Sequence, residues 1–516
     1  MERFLNRHKD DIVGTLSGFD RVLFRGSLRS LSYPKGVEIF LSTHHVLHKD
    51  FAAFAKGLSD QLTARAEKLA AKAGRPLIYL ASAQESKEDR ARELMEKDQI
   101  TDGLICVLSC VEPCRTWEVC GNRETKQLDL RSRERKCLFL YFYFADREFG
   151  LMHVRLQTWI PFTMQVCVNG REYLARQMTR AGIGYEQHEN CFPRIDDPGR
   201  AQKLMNRLET YPWAKFLNRF VSLVNPLMAG RSCHNQLKLK SYYWSIRQGE
   251  YATDVIFRDQ ACLSRLYPAL LKHAIENFSS EDVLRFLGRR TNRRFNERAE
   301  SSLKKRIEGA RVKHYVEENS IKMYDKAGVV LRVETTINNP RRFRVYRTAM
   351  RKGEKVKAWL PMRKGIVDAR RRVEVSRAAN HRYLDALSVV GCEKPSYRVL
   401  DQVSQSVKVE GRHYRALRPI SPEDALVCQA MMRGEHLVQG FRNQDLRKQL
   451  EPEKEAAPQT RKQAAGRITR LLRLWSAHGL IYRVAKTNYY RMTRKGQEVF
   501  ATVLRFRQPD FAILAA

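Results

Sequence analysis

One apolar hairpin constrains what this chain can fold into more than any other stretch. Two strands, Ser320–Tyr324 and Val329–Ile337, are predicted on either side of a short turn that contains Gly328. Successive residues of a strand point to opposite faces, so Arg332 and Glu334 point the same way from an otherwise apolar strand. Burying a carboxylate beside an arginine is costly unless the pair has a structural or a chemical role. The sequence therefore marks this pair for one of those two roles.

The charge around the hairpin indicates the class of partner. The 516 residues carry a formal net charge of +37, which destabilises a compact state through self-repulsion unless a polyanion neutralises it. Between Arg285 and Arg382, 29 lysines and arginines stand against 10 acidic residues, a net charge of +19. A cluster of that density predicts a surface that follows phosphates. Nucleic acid is the expected partner, with DNA favoured over structured RNA.

The expected compartment follows from hydropathy and from the cysteines. No apolar run in the sequence approaches the roughly 20 residues of a membrane helix, and the first residues lack the pattern of a signal peptide. An odd number of cysteines, 11, favours reduced thiols. We therefore expect a cytoplasmic protein without a membrane partner.

The one cluster of cysteines comprises Cys106, Cys110, Cys114 and Cys120. Structural zinc sites usually start with two cysteines separated by two to four residues, so this spacing only just permits a metal. No histidine pair with the usual spacing follows. Buried thiols on a strand and on the loop after it are the favoured interpretation.

Residues 1–230 are predicted to form an α/β domain with a mixed sheet. The predicted strands are Phe19–Arg25, Leu77–Ala81, Gly103–Leu108, Cys137–Phe144 and Leu151–Trp159. The predicted helices are Pro34–Val46, Phe51–Ala73, Lys87–Lys97, Gly170–Gly182 and one or two within 201–228. In the last strand His153, Arg155 and Gln157 share one face. A solvated or phosphate-binding face is favoured there over a catalytic one, and His153 is kept as a catalytic candidate.

Residues 231–400 are predicted to form a basic central domain, also with a mixed sheet, that contains the hairpin. Two helices, Cys262–Asn277 and Ser280–Leu287, precede the hairpin, and Ser280 is predicted to cap the second one. After the hairpin, Arg341–Arg347 alternates basic and apolar residues, which favours a surface that follows a nucleic-acid backbone and stacks bases. A solvated edge strand is the alternative. The residues expected to bind nucleic acid here are Lys326, Arg332, Arg341, Arg342, Arg344, Arg370, Arg371 and Arg372.

The C-terminal segment, 415–516, has the element order of a DNA-binding module. Ser421 is predicted to cap a helix that ends near Arg433. The elements predicted after it are two helices, two strands and a helix: Asn443–Leu450, Arg461–Ala477, Leu480–Val484, Tyr489–Met492 and Arg494–Leu504.

This order resembles that of the winged helix-turn-helix domains, in which the third helix enters the major groove and the wing contacts the backbone. The resemblance implies that the contacts come from Gln463, Arg467 and Arg470 on the helix and from Lys486, Tyr490 and Arg491 in the wing. A module for protein–protein contact or dimerisation is the alternative.

The central hairpin, 320–337, resembles a segment of the rolling-circle replication initiators of plasmids and filamentous phages. Those proteins carry a strand end similar to Tyr324-Asp325-Lys326, followed by a strand with Arg-x-Glu, here Arg332-Val-Glu334. They nick one DNA strand through attack by a tyrosine, aided by a divalent metal. The resemblance implies Tyr324 as the nucleophile, Glu334 and Asp325 as ligands of Mg²⁺ or Mn²⁺, and Lys326 and Arg332 as phosphate clamps.

The histidines depart from that class. Many such nickases carry two histidines separated by one residue, and none of the 13 histidines here has that spacing. His153 is at most a partial substitute. The structural alternative is a charge network on a nucleic-acid-binding sheet, formed by the pairs Arg332–Glu334 and Lys326–Asp325. An acidic triad of the transposase type is also open, because Asp20, Asp146, Asp254 and Glu334 all lie near predicted strand ends.

The sequence thus predicts an α/β multidomain protein with mixed-sheet N-terminal and central domains and a C-terminal winged helix. Two hypotheses of function follow. In the first, the chain is a mobile-element or replicon-associated protein that acts as a metal-dependent DNA nickase or a transposase-like enzyme. In the second, it is a non-catalytic protein that binds DNA or a structured RNA, as a ribonucleoprotein component or a winged-helix regulator.

Overall fold

The computed structural model of the protein describes most of the chain. The described residues are 1–82, 84–228, 241–289, 299–306, 309–351, 354–390, 396–419, 421–433, 436, 440–452, 458–485 and 487–507. None of the helices in these ranges combines the length and the apolar character that crossing a membrane requires.

The chain divides into two compact units, each assembled from segments that are far apart in the sequence. Unit 1 comprises Met1–Thr15, Thr253–Thr335 and Val375–Ala516, and unit 2 comprises Leu16–Ala252 and Thr336–Glu374. The sequence predicted three consecutive domains, 1–230, 231–400 and 415–516. The chain passes from one unit to the other inside regular elements, such as the strands Ile12–Ser27 and Tyr243–Phe257 and the helix Ala369–Leu387. No loop or linker composition therefore marks these boundaries.

The helices and strands are labelled in chain order. The helices are α1 (Glu2–Arg7), α2 (Pro34–Thr43), α3 (Phe51–Lys72), α4 (Lys87–Lys97), α5 (Gly170–Arg180), α6 (Pro198–Asn206), α7 (Trp213–Val224), α8 (Gln260–Glu276), α9 (Ser280–Phe286), α10 (Ala369–Leu387), α11 (Ser396–Asp401), α12 (Pro422–Met431), α13 (Asn443–Leu450), α14 (Pro458–Ala477) and α15 (Arg494–Arg507). Short 3-10 helices lie at Arg29–Ser32, His48–Asp50, Arg207–Thr210, Pro226–Met228 and Ile366–Asp368.

The strands are β1 (Ile12–Ser27), β2 (Leu77–Leu80), β3 (Gly103–Gly121), β4 (Leu128–Asp146), β5 (Gly150–Gln157), β6 (Met164–Asn169), β7 (Tyr185–His188), β8 (Cys191–Ile195), β9 (Tyr243–Phe257), β10 (Glu300–Arg306), β11 (Gly309–Val316), β12 (Asn319–Lys326), β13 (Val330–Thr336), β14 (Arg344–Arg351), β15 (Glu354–Pro361), β16 (Val407–Val409), β17 (Arg412–Tyr414), β18 (Ile481–Arg483) and β19 (Tyr490–Met492).

The sheet of unit 2 is mixed. Its hydrogen-bonded neighbours follow the order β9-β1-β6-β5-β4-β3-β2. Strand β2 pairs parallel with β3, whereas β3–β4, β4–β5, β5–β6 and β1–β6 are antiparallel. In unit 1 the order is β10-β11-β12-β13-β9, and the pairs β10–β11 and β11–β12 are antiparallel. The predicted α/β class with a mixed sheet is confirmed.

Strands β3 and β4 are much longer than the sequence predicted. Each extends over 19 residues, whereas the predictions covered only the apolar runs Gly103–Leu108 and Cys137–Phe144. The extra pairs, such as Arg115 with Glu134, join polar residues that are exposed. Only a few apolar residues of the extensions, such as the buried Trp117 and Leu130, alternate with polar ones, and this short pattern did not lead to a predicted strand.

The N-terminus of α9 corrects one predicted cap. Ser279, not Ser280, is the capping residue, and its hydroxyl accepts a hydrogen bond from the backbone N–H of Asp282. The Asp282 carboxylate accepts the backbone N–H of Ser279 in return, at 2.7 Å. Two adjacent serines are equally good caps by composition. The carboxylate three residues after the first serine decides between them, because it completes a capping box.

The C-terminal part of unit 1 follows the predicted order of elements. Helices α12, α13 and α14 are followed by β18, β19 and α15, and their apolar side chains share one buried cluster. Ile468, Leu472 and Trp475 form the predicted buried stripe of α14, with Leu471 partly buried beside them. The Ser421 hydroxyl caps α12, as predicted.

Candidate nucleic-acid interface

The β14–β15 hairpin of unit 2 presents one fully exposed face. The strands pair antiparallel, with Tyr346 opposite Trp359 and Met350 opposite Lys355. Because side chains alternate along a strand, one face carries Arg344, Tyr346, Thr348, Met350, Lys355, Lys357, Trp359 and Pro361. All eight are exposed, whereas on the other face Val356 and Glu354 are exposed and Val345, Arg347, Ala349, Ala358 and Leu360 are partly exposed. We call the eight-residue surface the hairpin face.

An aromatic pair lies at the centre of the hairpin face. The rings of Tyr346 and Trp359 have centroids 5.5 Å apart, and each residue is 56% exposed. Met350, further along the same face, is 63% exposed. Single exposed apolar side chains are common on protein surfaces, but a contiguous group of large ones indicates a surface that binds a partner.

Cations border the aromatic pair. Arg344 lies on β14, two residues before the tyrosine, and Lys355 and Lys357 lie on β15. The guanidinium of Arg371, from α10, is 5.5 Å from the centroid of the Trp359 ring, within the range of a cation–π contact. The same guanidinium donates a hydrogen bond to the Arg344 carbonyl at 2.8 Å. Aromatic surface and positive charge are therefore combined on one face.

Arg347 anchors the hairpin from its other face. Its guanidinium donates to both carboxylate oxygens of Asp368, at 3.2 and 3.0 Å, and to the Pro361 carbonyl at 3.2 Å. Asp368 is buried and also accepts the backbone N–H of Arg363 at 2.7 Å. An isolated two-stranded hairpin is marginally stable, so this ion pair holds the exposed face in position.

The hairpin that the sequence singled out, β12–β13, is present but buried. Every residue of β13 is inaccessible, and Arg332 and Glu334 are each 0% exposed. Arg332 donates to both carboxylate oxygens of Asp254, at 2.6 and 2.9 Å. Such a bidentate ion pair offsets the cost of burying the two charges. Arg332 therefore does not lie at a surface where it could clamp a phosphate, as the sequence predicted it would.

Glu334 is held by two residues of β12. The Tyr324 hydroxyl donates to Oε2 at 2.8 Å, and the Lys322 ammonium lies 2.7 Å from Oε1. The same ammonium is 5.3 Å from the centroid of the Tyr324 ring. The structure thus brings together the tyrosine and the glutamate proposed as nucleophile and metal ligand, and it adds Lys322, which the sequence did not single out.

The other residues proposed with this pair lie elsewhere. Asp325 follows Tyr324 in β12, so its side chain points to the face opposite the one that contacts Glu334. The two carboxylates therefore cannot ligate one ion, and burial raises the pKa of Asp325. His153 belongs to unit 2, where burial and nearby arginines lower its pKa to about 3. It is neutral at pH 7.

The arginine triplet on α10 divides between solvent and core. Arg370 is exposed and lies 3.7 Å from Glu374, and Arg371 is partly exposed. Arg372 is 2% exposed and donates to the Ile337 carbonyl. Burial lowers the pKa of Arg372 to about 10. Consecutive helix residues project about 100° apart, so a run of three cannot all face the same partner. Arg372 is structural.

The other predicted contacts of the central region are accessible. Arg341 and Arg342 are exposed just before the hairpin face, and Lys326 is partly exposed at the end of β12. Arg341 and Arg342 extend the positive charge of the hairpin face along the chain.

Helix α14 exposes the side chains that were predicted to read DNA. Gln463, Arg467 and Arg470 are all exposed, and Arg467 forms an ion pair with Glu451 at 3.0 Å. In the following strands Arg491 is exposed and Tyr490 is partly exposed. Lys486 lies outside the described residues.

The cysteine cluster does not have the geometry of a metal site. All four residues lie on β3, where a rise of roughly 3.3 Å per residue separates every fourth residue by about 13 Å. Cys106 and Cys110 are buried, and the Cys114 Sγ lies 2.7 Å from the Cys137 Sγ of β4. The arrangement fits the interpretation as reduced thiols of a strand.

The carboxylates considered for an acidic triad have separate structural partners. Asp146 pairs with Arg219 at 2.6 Å, and Asp254 pairs with Arg332. Asp20 accepts a hydrogen bond from the Asn190 side chain at 2.6 Å.

Sequence reasoning missed half of the hairpin face. It singled out Arg341–Arg347 but not Glu354–Pro361, which supplies Trp359, Lys355 and Lys357. The segment Lys-Val-Lys-Ala-Trp, which begins at Lys355, alternates large polar or aromatic residues with smaller ones. That alternation was the available signal.

Comparisons with models of protein families, with curated proteins and with solved structures found no match. The function is therefore inferred from geometry and charge.

Proposed function

We propose that the protein binds nucleic acid and that unpaired bases stack on the hairpin face. The observation that carries this proposal is the exposed pair Tyr346 and Trp359, flanked on the same face by Arg344, Lys355 and Lys357. Surfaces that bind single strands combine aromatic platforms with cations that follow the phosphates. The hairpin face has both features, and its outer residues include no carboxylate.

The aromatic pair favours an unpaired strand over a duplex. Base pairing and stacking hide the faces of the bases in a duplex, whereas a single strand can place them on aromatic rings. The cations serve either form, because phosphates are common to both. The net charge of +37 supports a polyanionic partner of this kind.

The exposed face of α14 supports a second contact, to a duplex. Arg467 and Arg470 are long, exposed cations on one helix, and guanidinium groups bind both phosphates and the major-groove edge of guanine. We propose a cytoplasmic protein, associated with a replicon or a mobile element, that binds a duplex through unit 1 and an unpaired strand through unit 2.

Fluorescence anisotropy with labelled oligonucleotides tests the hairpin face. Trp359→Ala and Tyr346→Ala should each weaken binding of single-stranded DNA or RNA by about 10-fold, since a stacked base contributes about 1–3 kcal/mol. Duplex affinity should change much less. Comparing DNA with RNA strands of the same sequence identifies the preferred nucleic acid.

Tyr33→Ala is the matched control. Tyr33 belongs to unit 2, is 67% exposed and lies outside the hairpin face. An equal loss of affinity in this control, or no loss in either hairpin variant, would remove the hairpin face as the binding surface.

A strand-nicking activity is the second candidate, and the Tyr324–Glu334 hydrogen bond favours it. A phenol hydroxyl 2.8 Å from a carboxylate has the geometry of a nucleophile beside a general base. Lys322 adds a cation next to both groups. Mg²⁺ or Mn²⁺ would stabilise negative charge on the phosphate in such a reaction, and Glu334 is the one predicted ligand beside Tyr324.

Incubation with supercoiled and single-stranded DNA tests this candidate. With Mg²⁺ or Mn²⁺ present, the wild-type protein should nick DNA and become covalently attached to one strand end. Tyr324→Phe should abolish both effects, and Tyr346→Phe should retain them. If neither metal supports nicking, or if Tyr324→Phe still nicks, the protein binds without cleaving.

A further inference from the structure

A second cationic surface lies on the sheet of unit 2. Antiparallel pairing aligns Arg25 of β1 with Gln165 of β6, and Gln165 with Arg155 of β5. With its amide oxygen turned toward the arginines, Gln165 accepts hydrogen bonds from Arg247 of β9 at 2.9 Å and from Arg155 at 3.3 Å. We call these four residues the arginine row. The neutral amide oxygen of Gln165 is thus the shared acceptor of the Arg247 and Arg155 guanidinium groups.

Carboxylates neutralise only part of the arginine row. Arg155 pairs with Glu112 at 2.5 Å, but Glu112 also pairs with Lys87 at 3.1 Å. Among the residues that the structure describes, neither Arg25 nor Arg247 forms an ion pair with a carboxylate. Partial loss of hydration at the sheet surface and repulsion from the other two arginines lower the pKa of Arg25. The row therefore holds positive charge that the fold does not compensate.

A cavity of about 320 Å³ adjoins the row at Arg155 and Gln165, and Arg25 and Arg247 lie beside its lining rather than in it. Its polar lining comprises Arg21, Tyr141, His153, Arg155, Gln165 and Gln248. The Arg21 guanidinium donates to the Cys167 Sγ at 3.2 Å, which fixes it in the wall. The size is at the lower end of the roughly 300–1,000 Å³ that is typical of ligand sites. It suits a small anion or the end of a larger one.

We infer that the arginine row and its cavity bind a phosphate dianion, either as a terminal monoester or as the free anion. A guanidinium offers paired N–H donors that match two phosphate oxygens, and the row presents three such groups on neighbouring strands. The Gln165 oxygen occupies the kind of position that a phosphate oxygen would take between two of them. A phosphate monoester is close to a dianion at pH 7, so it neutralises charge that the carboxylates leave in excess.

The phosphate has two possible sources with the same chemistry. It is either the terminal phosphate of a nucleic-acid strand or free inorganic phosphate. The site itself is independent of the hairpin face, and only the strand-end source rests on the proposed nucleic-acid binding.

Isothermal titration calorimetry of the full chain with inorganic phosphate tests the site, with sulfate and chloride compared at equal ionic strength. Arg25→Gln/Arg247→Gln should weaken phosphate binding by about 10-fold or more, because it removes two guanidinium groups that can donate charge-assisted hydrogen bonds to the anion. Both arginines are exposed, so the double variant should fold. Its melting temperature without phosphate should be unchanged or higher, because repulsion among the arginines is relieved.

The matched control is Arg123→Gln/Arg133→Gln. It removes two other exposed arginines of unit 2 and should bind phosphate like the wild type.

Oligonucleotides that differ only in a 5′- or 3′-terminal phosphate separate the two sources. Tighter binding of one phosphorylated end, lost in Arg25→Gln/Arg247→Gln, assigns the site to strand ends. Binding of inorganic phosphate without any preference for phosphorylated ends assigns the site to the free anion.

The inference is overturned if phosphate binds no better than sulfate and chloride and no end is preferred. It is also overturned if the control double variant loses as much affinity. Unchanged single-strand affinity in Trp359→Ala and Tyr346→Ala, with the end preference retained, would remove the hairpin face alone.

Discussion

Two hairpins of this protein contain similar residues and place them in opposite environments. Both β12–β13 and β14–β15 carry arginine, lysine and tyrosine among apolar residues. In the first, Arg332 and Glu334 are fully buried and each has a charged partner within 3 Å. In the second, Tyr346 and Trp359 are 56% exposed and cations surround them. The same residue types form buried ion pairs in one hairpin and an exposed surface in the other.

The difference shows that a charged residue on an apolar strand does not by itself mark a binding site. A buried ion pair contributes little net stability, but removing one partner leaves an unpaired buried charge. An exposed cation contributes little to stability and remains able to pair with a ligand. Substitutions should therefore lower stability in β12–β13 and affinity in β14–β15.

The largest effect is expected from Arg332→Ala. It leaves Asp254, which is 2% exposed, without its bidentate partner, and should lower the free energy of unfolding by about 3–5 kcal/mol. Arg344→Ala, on the hairpin face, should change it by less than about 0.5 kcal/mol. Urea denaturation followed by tryptophan fluorescence measures both. Equal losses in the two variants would contradict the comparison.

The next effect is on pH dependence, through histidines buried in unit 1. Burial lowers the pKa of His314 to about 4 and of His436 to about 3. Their pKa in the unfolded chain is higher, so the unfolded state binds protons first as the pH falls. Stability that is complete above about pH 6.5 is lost progressively as the pH falls toward 4. At pH 5 each histidine should lower the free energy of unfolding by about 2 kcal/mol.

Urea denaturation at pH 7.5 and pH 5 measures this loss. His436→Gln should reduce the difference between the two values, whereas His413→Gln, at an exposed position on β17, should leave it unchanged. Equal stability at the two pH values would show that burial does not lower the pKa of these histidines.

A smaller effect should separate the two tyrosines. Tyr324→Phe removes the hydroxyl that donates to the buried Glu334, and the free energy of unfolding should fall by about 1 kcal/mol. Tyr346→Phe removes an exposed hydroxyl and should leave stability within about 0.5 kcal/mol of the wild type. If Tyr346→Phe is as destabilising as Tyr324→Phe, the hairpin face is not the solvent-exposed surface described above.

The smallest effect concerns the salt dependence of binding. Lys355→Gln and Lys357→Gln should each reduce the slope of log affinity against log salt concentration by about 1, because each removes one phosphate contact. Lys322→Gln, beside the buried Glu334, should leave the slope unchanged. Anisotropy titrations over a range of salt concentrations measure the slopes, and a change in the Lys322 variant alone would reverse the roles of the two hairpins.

The element predictions succeed where the pattern is local. The predicted bounds of α4 and α13, Lys87–Lys97 and Asn443–Leu450, match the structure to the residue, because capping and helical periodicity depend on neighbours in the sequence. The β12–β13 hairpin and the order of elements from α12 to α15 were predicted for the same reason. The extensions of β3 and β4 were not, since charged residues interrupt their short apolar pattern.

Part of the candidate site also followed from the sequence. The alternation of basic and aromatic residues before Arg347 predicted a surface for nucleic acid, and Arg344 is exposed there. The register that places Tyr346 opposite Trp359 was not predicted, because strand pairing depends on the turn between the strands. The arginine row was only partly predicted, through Arg155, since its members come from strands that are far apart in the chain.

The sequence by itself determined the net charge and those elements whose pattern is local. Only the tertiary structure decided which charges meet solvent. Periodicity is a property of neighbouring residues, whereas the burial of Arg332 depends on Asp254, 78 positions earlier in the chain. A charge can be buried only where the fold supplies its partner. For that reason Arg332 became part of the core, while the similar residues of β14 and β15 stayed at the surface.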